Sequence, residues 1–233
     1  MSNTAPDALI NPQAAIAYWS SVSTDNAGVL GGYPHVSRVE LQGSTTFLAK
    51  LRRKSSVFPT SKPLSRTVDC GAGIGRVTKG FLAKVADVVD VVEPVVQLTD
   101  VITKGAEFEE LRAQGKVGEM YNVGLEDWTP NHTYPLIWTQ WCLGQLNDGQ
   151  LVEFFRRAKA GLEKGGWIVV KENMSTESSG EDLFDETDSS VTRTDQKFRS
   201  LFEKAGLKIV ATEIQRGMPK ELYPVRSYAL QPV

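Results

Sequence analysis

A turn with three alternating glycines follows a short β-branched run at residues 67–76 (TVDCGAGIGR). Glycine tolerates positive φ and has no side chain, so the backbone can turn sharply there and lie against a ligand. The first strand-to-helix turn of a doubly wound α/β sheet is where a nucleotide-like cofactor binds. Gly71 and Gly73 are therefore candidate cofactor contacts, and Arg76 offers paired donors for a ligand carboxylate. A structural loop without a ligand is the alternative.

An acid that can bind ribose hydroxyls ends the next apolar run. Residues 85–93 (VADVVDVVE) predict a buried strand, and Pro94 opens the helix that follows. Glu93 comes about twenty residues after Gly71, the separation at which doubly wound folds place a carboxylate on the ribose. Asp90 is the alternative if the strand ends earlier. The Gly-x-Gly-x-Gly spacing differs from that of dinucleotide-binding folds, and together with the acid it favours S-adenosylmethionine over a nicotinamide dinucleotide.

The elements that must position these residues alternate between strand and helix after residue 65. We predict strands near 66–70, 86–92, 117–122, 134–140, 166–172, 207–214 and 223–231, and helices near 75–84, 95–106, 148–162 and 194–205. Such alternation predicts a parallel sheet with helices on both faces. The final two strands should be antiparallel, because their short connector cannot make a parallel crossover. The predicted fold is α/β: the seven-stranded, mostly parallel, Rossmann-like sheet of class I methyltransferases.

The first part of the chain predicts a helical extension to this fold. Helical patterns cover residues 12–22 and 39–51, and residues 25–34 between them predict a glycine-rich loop. A connector rich in Ser, Pro and Lys follows at 55–65. We therefore divide the chain into an N-terminal extension, residues 1–54, which forms part of the substrate groove, and a methyltransferase domain, residues 55–233.

Two connections are candidates for binding the methyl acceptor. Residues 139–148 (TQWCLGQLND) follow the fourth predicted strand at the sheet edge where ligands bind. Residues 172–192 predict a loop of about twenty residues, long enough for a functional lid. This loop contains seven acidic residues and no basic residue. Acid beside a cofactor site indicates a cationic substrate, and a solvated acidic loop is the alternative.

Composition limits the class of protein. The 233 residues suffice for one α/β domain, and a net charge of −2 argues against a nucleic-acid-binding surface. The pattern around Cys70 and Cys142 favours buried, reduced thiols, and the separation of His35 from His132 makes a metal site unexpected. Neither a secretory signal nor a membrane-spanning run is visible. We expect a cytoplasmic monomer, with nuclear entry also open.

Several unusual strings occur in one order along the chain. They are Tyr18-Trp19, GVLGGY at 28–33, the glycine turn, Gln140-Trp141 followed by Gly144, KENM at 171–174, DSSV at 188–191 and ELY at 221–223. From about Tyr18 to Leu230, the chain resembles the eukaryotic N-terminal protein methyltransferases, which modify the α-amino group of proteins that begin X-Pro-Lys/Arg. The resemblance implies the same reaction on proteins exposed by Met removal, ribosomal proteins among them.

The resemblance also implies a set of site residues. The cofactor, S-adenosylmethionine with S-adenosylhomocysteine as product, is expected to contact Gly71, Arg76, Glu93, Leu125, Glu126 and Gln140. The peptide groove is expected at Trp19, Leu30, Gly31, Gly32, Trp141, Asn173, Asp185, Asp188, Ser190 and Tyr223. Asn173 and Asp188 carry the catalytic roles, together with a histidine whose place is taken here by Gln145.

The implied chemistry suits these groups. An α-amino group has a pKa of about 7.7–8.0, so a usable fraction is already neutral and a strong base is unnecessary. Asp188 can accept the proton while Asn173 holds the amine by hydrogen bonding. Trp19 and Trp141 suit a proline in second place. For the Lys or Arg in third place, Asp188 competes with the loop's other predicted groove carboxylate, Asp185.

Two other functions fit parts of the pattern. A small-molecule amine N-methyltransferase would use the acidic loop for a metabolite, and methylation of only the free α-amine of a peptide would exclude it. A non-catalytic adaptor that kept the fold would belong to another class. The intact glycine turn, Glu93, Asn173 and Asp188 argue against the adaptor, and failure to bind S-adenosylmethionine would favour it.

Overall fold

The computed structural model describes residues 4–178 and 180–233. Its strands are β1 (Leu64–Cys70), β2 (Ala86–Val92), β3 (Val117–Tyr121), β4 (Tyr134–Gln140), β5 (Leu162–Asn173), β6 (Leu183–Asp185), β7 (Ser190–Thr192), β8 (Leu207–Ile214) and β9 (Val225–Pro232). Its α-helices are α1 (Pro12–Ser21), α2 (Asn26–Val29), α3 (Val36–Arg53), α4 (Ala83–Val85), α5 (Val96–Lys104), α6 (Glu109–Ala113), α7 (Asp148–Ala160) and α8 (Asp195–Lys204). Short 3-10 turns lie at Pro6–Leu9, Ala106–Phe108 and Leu143–Gln145, and a π-helical segment, Thr78–Leu82, precedes α4.

Seven strands form one sheet in the order β3-β2-β1-β4-β5-β9-β8. The pairs from β3 through β5 are parallel, whereas β9 is antiparallel to both β5 and β8. The predicted class, a mostly parallel α/β sheet with an antiparallel final pair, is confirmed. Parallel strands place their carboxyl ends at one edge, so the segments that follow β1, β2, β4 and β5 meet there.

Both faces of the sheet are covered. All seven residues of β4 are buried, as expected for a central strand covered on both sides. Aromatic residues of α7 and α8 pack on one face in a cluster that includes Phe155 and Phe202. On the other face, Phe47 and Leu48 of α3 pack with Trp138. Helix α3 of the N-terminal segment therefore shares a core with the sheet.

The structure differs from the predicted elements at four places. The loop expected at 25–34 contains α2, because the Asp25 side chain caps this short helix by accepting from Gly28 N at 2.9 Å. The loop expected at 172–192 contains an antiparallel hairpin, in which β6 pairs with β7. The fifth strand begins at Leu162 rather than 166, and α6 was not predicted.

None of the helices within residues 4–178 and 180–233 is both long and apolar enough to cross a membrane. The same residues contain no group of three or more His, Cys, Asp or Glu side chains that could hold a metal ion. Cys70 is buried and Cys142 half-buried, and both are free thiols.

Candidate active site

The glycine turn after β1 requires glycine for two reasons. Gly71, Gly73 and Gly75 all have positive φ, at 68°, 55° and 76°, where a side chain is strained. A Cβ on Gly71 would also lie only 2.2 Å from the Cβ of Cys142, so β1 and the segment after β4 can approach only because Gly71 lacks one. At Gly73, by contrast, a Cβ would meet nothing closer than 3.8 Å. The turn therefore leaves open space beside Gly73.

Glu93 fixes the other side of this turn. Its carboxylate accepts hydrogen bonds from Gly73 N at 2.9 Å and from Val95 N at 3.0 Å. Burial raises the pKa of Glu93, and the two N–H groups act against that rise. Asp90, the alternative, lies inside β2, where Arg66 and Tyr134 donate to its oxygens. Asp90 therefore binds side chains of the strands β1 and β4, and Glu93 is the acid at the end of β2.

A cavity of about 370 Å³ lies over this edge of the sheet, and we call it the cofactor cavity. All seven residues predicted to bind the cofactor line it: Gly71, Gly73, Arg76, Glu93, Leu125, Glu126 and Gln140. Five residues of the N-terminal segment also line it: Pro12, Ala15, Ile16 and Trp19 of α1, and Val29. Sequence reasoning assigned the N-terminal segment to the substrate groove and missed this contribution of α1 to the cofactor side.

A second cavity, of about 240 Å³, adjoins the first, and we call it the acceptor cavity. The two cavities share Trp19, Val29, Trp141 and Gln145 in their walls. The predicted groove residues in the lining are Trp19, Leu30, Gly31, Trp141, Asn173, Asp188, Ser190 and Tyr223. Gly32 and Asp185 are outside the lining: both are exposed, and Asp185 accepts a hydrogen bond from Thr187 N at 2.8 Å.

Polar groups converge where the two cavities meet. Trp141 Nε1 donates to Asn173 Oδ1 at 3.1 Å, which leaves the second lone pair of that oxygen for another donor. Asp188 Oδ1 is buried and has no hydrogen-bond partner among the described residues. Burial, with a smaller contribution from the charge of Asp185, raises the pKa of Asp188, and the nearby hydroxyl and N–H groups of Ser190 act against that rise. The Gln145 amide lies between Asp188 and Trp19: one orientation donates to Asp188 Oδ2 at 3.3 Å, and the other accepts from Trp19 Nε1 at 3.3 Å.

Trp141 stands in the shared wall in a conformation that few non-glycine residues adopt, with φ at 56°. The next two backbone N–H groups, of Cys142 and Leu143, donate to Glu172 Oε1 at 2.9 and 3.0 Å. Glu172 is buried, and burial raises its pKa to about 7 even though these donors lower it. The carboxyl of Glu172 thereby holds the strained turn that presents the Trp141 ring.

We predict that Glu172→Gln flattens the pH dependence of stability. A carboxyl whose pKa rises from 4.5 to about 7 on folding stabilises the fold below pH 4.5 and loses that contribution as the pH rises through about 7. The loss amounts to about 3 kcal/mol, and an amide does not titrate. Unfolding free energies of wild type and variant, measured by denaturant at pH 5 and pH 8, check this. Equal pH dependence in the two proteins would contradict it.

Comparison with known proteins identifies the family. The model of a family described as "AdoMet dependent proline di-methyltransferase" matches residues 7–231. The chain belongs to this family. It is therefore an enzyme, a methyltransferase whose cofactor is S-adenosylmethionine, as the sequence predicted.

Named relatives agree with this assignment. The chain is 42% identical over 221 residues to alpha N-terminal protein methyltransferase 1 of Schizosaccharomyces pombe, with 94% of each protein covered. It is 39% identical over 222 residues to the mouse N-terminal Xaa-Pro-Lys N-methyltransferase 1, with 93% of each covered. The predicted resemblance to N-terminal protein methyltransferases is confirmed.

Solved structures show the same fold. A SAM-dependent methyltransferase from Leishmania major superposes with a TM-score of 0.81 at 34% identity, over 94% of this chain and 82% of that one. Magnesium protoporphyrin IX methyltransferase from Synechocystis, solved with bound SAM, has a TM-score of 0.68 over 99% of this chain and 100% of that one. At 13% identity, the second likeness concerns the fold alone.

The residues present fit S-adenosylmethionine. Gly73 leaves room for a ligand beside the turn, and Glu93 places a carboxylate at the end of β2, where such folds meet the ribose. Arg76 lines the same cavity, and a guanidinium suits the amino-acid carboxylate. When bound, the cofactor supplies an electrophilic methyl group on a sulfonium.

Proposed function

We propose that the enzyme methylates the free α-amino group of proteins whose mature N-terminus begins X-Pro-Lys or X-Pro-Arg. Transfer to the α-amine of protein N-termini is the activity that the names of the relatives describe. The X-Pro-Lys/Arg motif and the roles of individual residues are our assignments for this chain. Ribosomal proteins as substrates stay a prediction.

One observation carries the proposal: the buried, unpartnered oxygen of Asp188 in the acceptor cavity, as the described residues show it. An unsatisfied carboxylate oxygen away from water costs free energy unless a donor pairs with it. A chain-terminal amine supplies such a donor and, when protonated, the opposite charge. Asp188 therefore meets the amine next to the wall that the two cavities share, which is where the methyl group must be delivered.

The other polar groups orient the amine but do not accept its proton. The remaining lone pair of Asn173 Oδ1 accepts a second amine N–H. Gln145 cannot titrate, so Asp188 is the group that accepts the proton, directly or through water. Its raised pKa makes it a better proton acceptor than an exposed aspartate. Because orientation of nitrogen, carbon and sulfur supplies much of the rate, these contacts suffice.

The groove accounts for the second and third residues of the substrate. Trp19 and Trp141 give aromatic walls to the acceptor cavity, against which a proline ring can pack. Asp185 lies outside the enclosed lining on the β6–β7 hairpin and is exposed. Since Asp188 is engaged by the amine, we assign Asp185 to the Lys or Arg in third place.

Peptides that differ in one position test this assignment. We expect a peptide that begins Ala-Pro-Lys to exceed one that begins Ala-Pro-Glu about ten-fold in kcat/KM. Asp185 is exposed, so the attraction that is gained and the repulsion that is avoided contribute only up to about 1 kcal/mol each. Asp185→Asn should reduce that ratio. Glu186→Gln removes the neighbouring exposed carboxylate and is the matched control, which should keep the ratio. An equal reduction in both variants would contradict the assignment of Asp185, and faster turnover of small amines than of any peptide would favour the small-molecule hypothesis.

A further inference from the structure

A buried acid on α3 joins several residues of the active site. Glu40 is fully buried, and its Oε1 accepts from Arg76. Its Oε2 accepts from Gln140 Nε2 at 2.7 Å and from Lys171 Nζ at 2.9 Å. Arg76 and Gln140 both line the cofactor cavity. Glu40 therefore stands directly behind two cofactor residues without lining the cavity itself.

Lys171 completes the cluster from β5. Besides Glu40 Oε2, its ammonium donates to Glu40 O and to Ser44 Oγ, each at 2.8 Å. Burial, with a smaller contribution from the charge of Arg76, lowers the pKa of Lys171 to about 7. All three donors on Lys171 thus point to α3, which fixes the helix against the sheet at this place.

The balance of charge in this cluster favours an anionic ligand. One carboxylate, Glu40, pairs with two cations, so positive charge is in excess whenever Lys171 is protonated. Of the two cations, Arg76 is the one that lines the cofactor cavity. An excess buried charge is costly unless a partner arrives. The carboxylate of the amino-acid part of the cofactor supplies that partner.

We propose that Glu40 is a positioning residue for the cofactor, which aims Arg76 and Gln140 at the amino-acid end of S-adenosylmethionine. Ser37 Oγ also accepts from Arg76 at 3.4 Å and Trp138 Nε1 donates to Gln140 Oε1 at 3.2 Å, but Glu40 is the group that binds both side chains. Fixing them before binding reduces the entropy cost of each contact. In this arrangement α3 contributes to cofactor binding through Glu40. The inference rests on the cofactor site and does not depend on the proposed peptide substrate.

Binding measurements with two probes test the role of Glu40. Calorimetry compares the Kd of S-adenosylmethionine with that of its decarboxylated analogue, which lacks the group that Arg76 would meet. We expect the wild type to prefer S-adenosylmethionine about ten-fold or more, and Glu40→Gln to lose most of this preference. If Glu40→Gln only loosened the fold, binding of both probes would weaken alike and the ratio of their Kd values would stay as in the wild type. That result would count against the proposal.

A second variant keeps the test decisive if the first fails to fold. Glu40→Gln leaves Lys171 buried without its carboxylate, which can unfold the chain. The double variant Glu40→Gln with Lys171→Met removes the charges of both side chains and should fold. Its preference for S-adenosylmethionine over the decarboxylated analogue should again be reduced. Glu213→Gln, which breaks the exposed pair between α3 Lys50 and Glu213, is the control and should keep the ratio. A wild-type ratio in either folded Glu40 variant would overturn the proposal.

Discussion

Replacing Asp188 with Asn should lower kcat about a hundred-fold while the Kd of S-adenosylmethionine stays within about two-fold of wild type. Loss of a positioned proton acceptor costs roughly 10²–10⁴ in rate, and the low end applies because an α-amine is partly neutral at pH 7. Asp188 lines the acceptor cavity and not the cofactor cavity. Steady-state kinetics give kcat, and calorimetry gives the Kd of S-adenosylmethionine.

The pH dependence of this variant separates proton acceptance from shape. Raising the pH from about 7 to about 9 deprotonates the α-amine of the peptide, whose pKa is about 7.7–8.0. Turnover by the Asn variant should then recover more than turnover by the wild type. The role assigned to Asp188 would be wrong if cofactor binding fell as far as turnover. It would also be wrong if the variant's turnover, relative to the wild type, were equally low at pH 7 and pH 9.

Gly71→Ala should lower the free energy of unfolding by about 3 kcal/mol and abolish measurable cofactor binding. An alanine at positive φ costs about 1–2 kcal/mol, and overpacking a tight contact costs about 1–3 kcal/mol more. Here the added Cβ would lie 2.2 Å from the Cβ of Cys142. Relief requires the turn to move away from the segment after β4, and that movement reshapes the cofactor cavity.

Gly73→Ala is the matched comparison for stability. Its φ is also positive, at 55°, but a Cβ there meets nothing closer than 3.8 Å. We expect a loss of only about 1 kcal/mol, the cost of the backbone conformation alone. Denaturant unfolding of both variants checks this, and equal losses would show that the contact with Cys142 is not what requires glycine at position 71.

Gly71, Gly73 and Glu93 were predicted as cofactor contacts because they lie soon after the ends of predicted strands. The assignment of Leu125, Glu126 and Gln140 came from the family resemblance. Gly71, Glu93 and Gln140 mark the ends of β1, β2 and β4, whose apolar runs are visible in the sequence. Parallel pairing then brings these ends together without further information. The antiparallel last pair followed equally directly from the length of its connector.

Other parts of the site had no local signal. The β6–β7 hairpin has strands of only three residues, too short to show an alternating pattern. Glu40 lies 36 residues from Arg76 and 131 from Lys171, so nothing near it in the sequence reveals its partners. A clue was available, since Glu40 falls at helical spacing with the buried Val36 and Ser44 of α3. An acid on a buried helical face needs partners, but only the fold identifies them.

The proposed activity is tested by the site of methylation on a peptide that begins Ala-Pro-Lys. The peptide is incubated with enzyme and S-adenosylmethionine, and fragmentation mass spectrometry locates each added methyl group. We expect methyl groups only on the α-amine, and no product from the same peptide with an acetylated N-terminus. Methylation of the lysine side chain, or of the acetylated peptide, would contradict it.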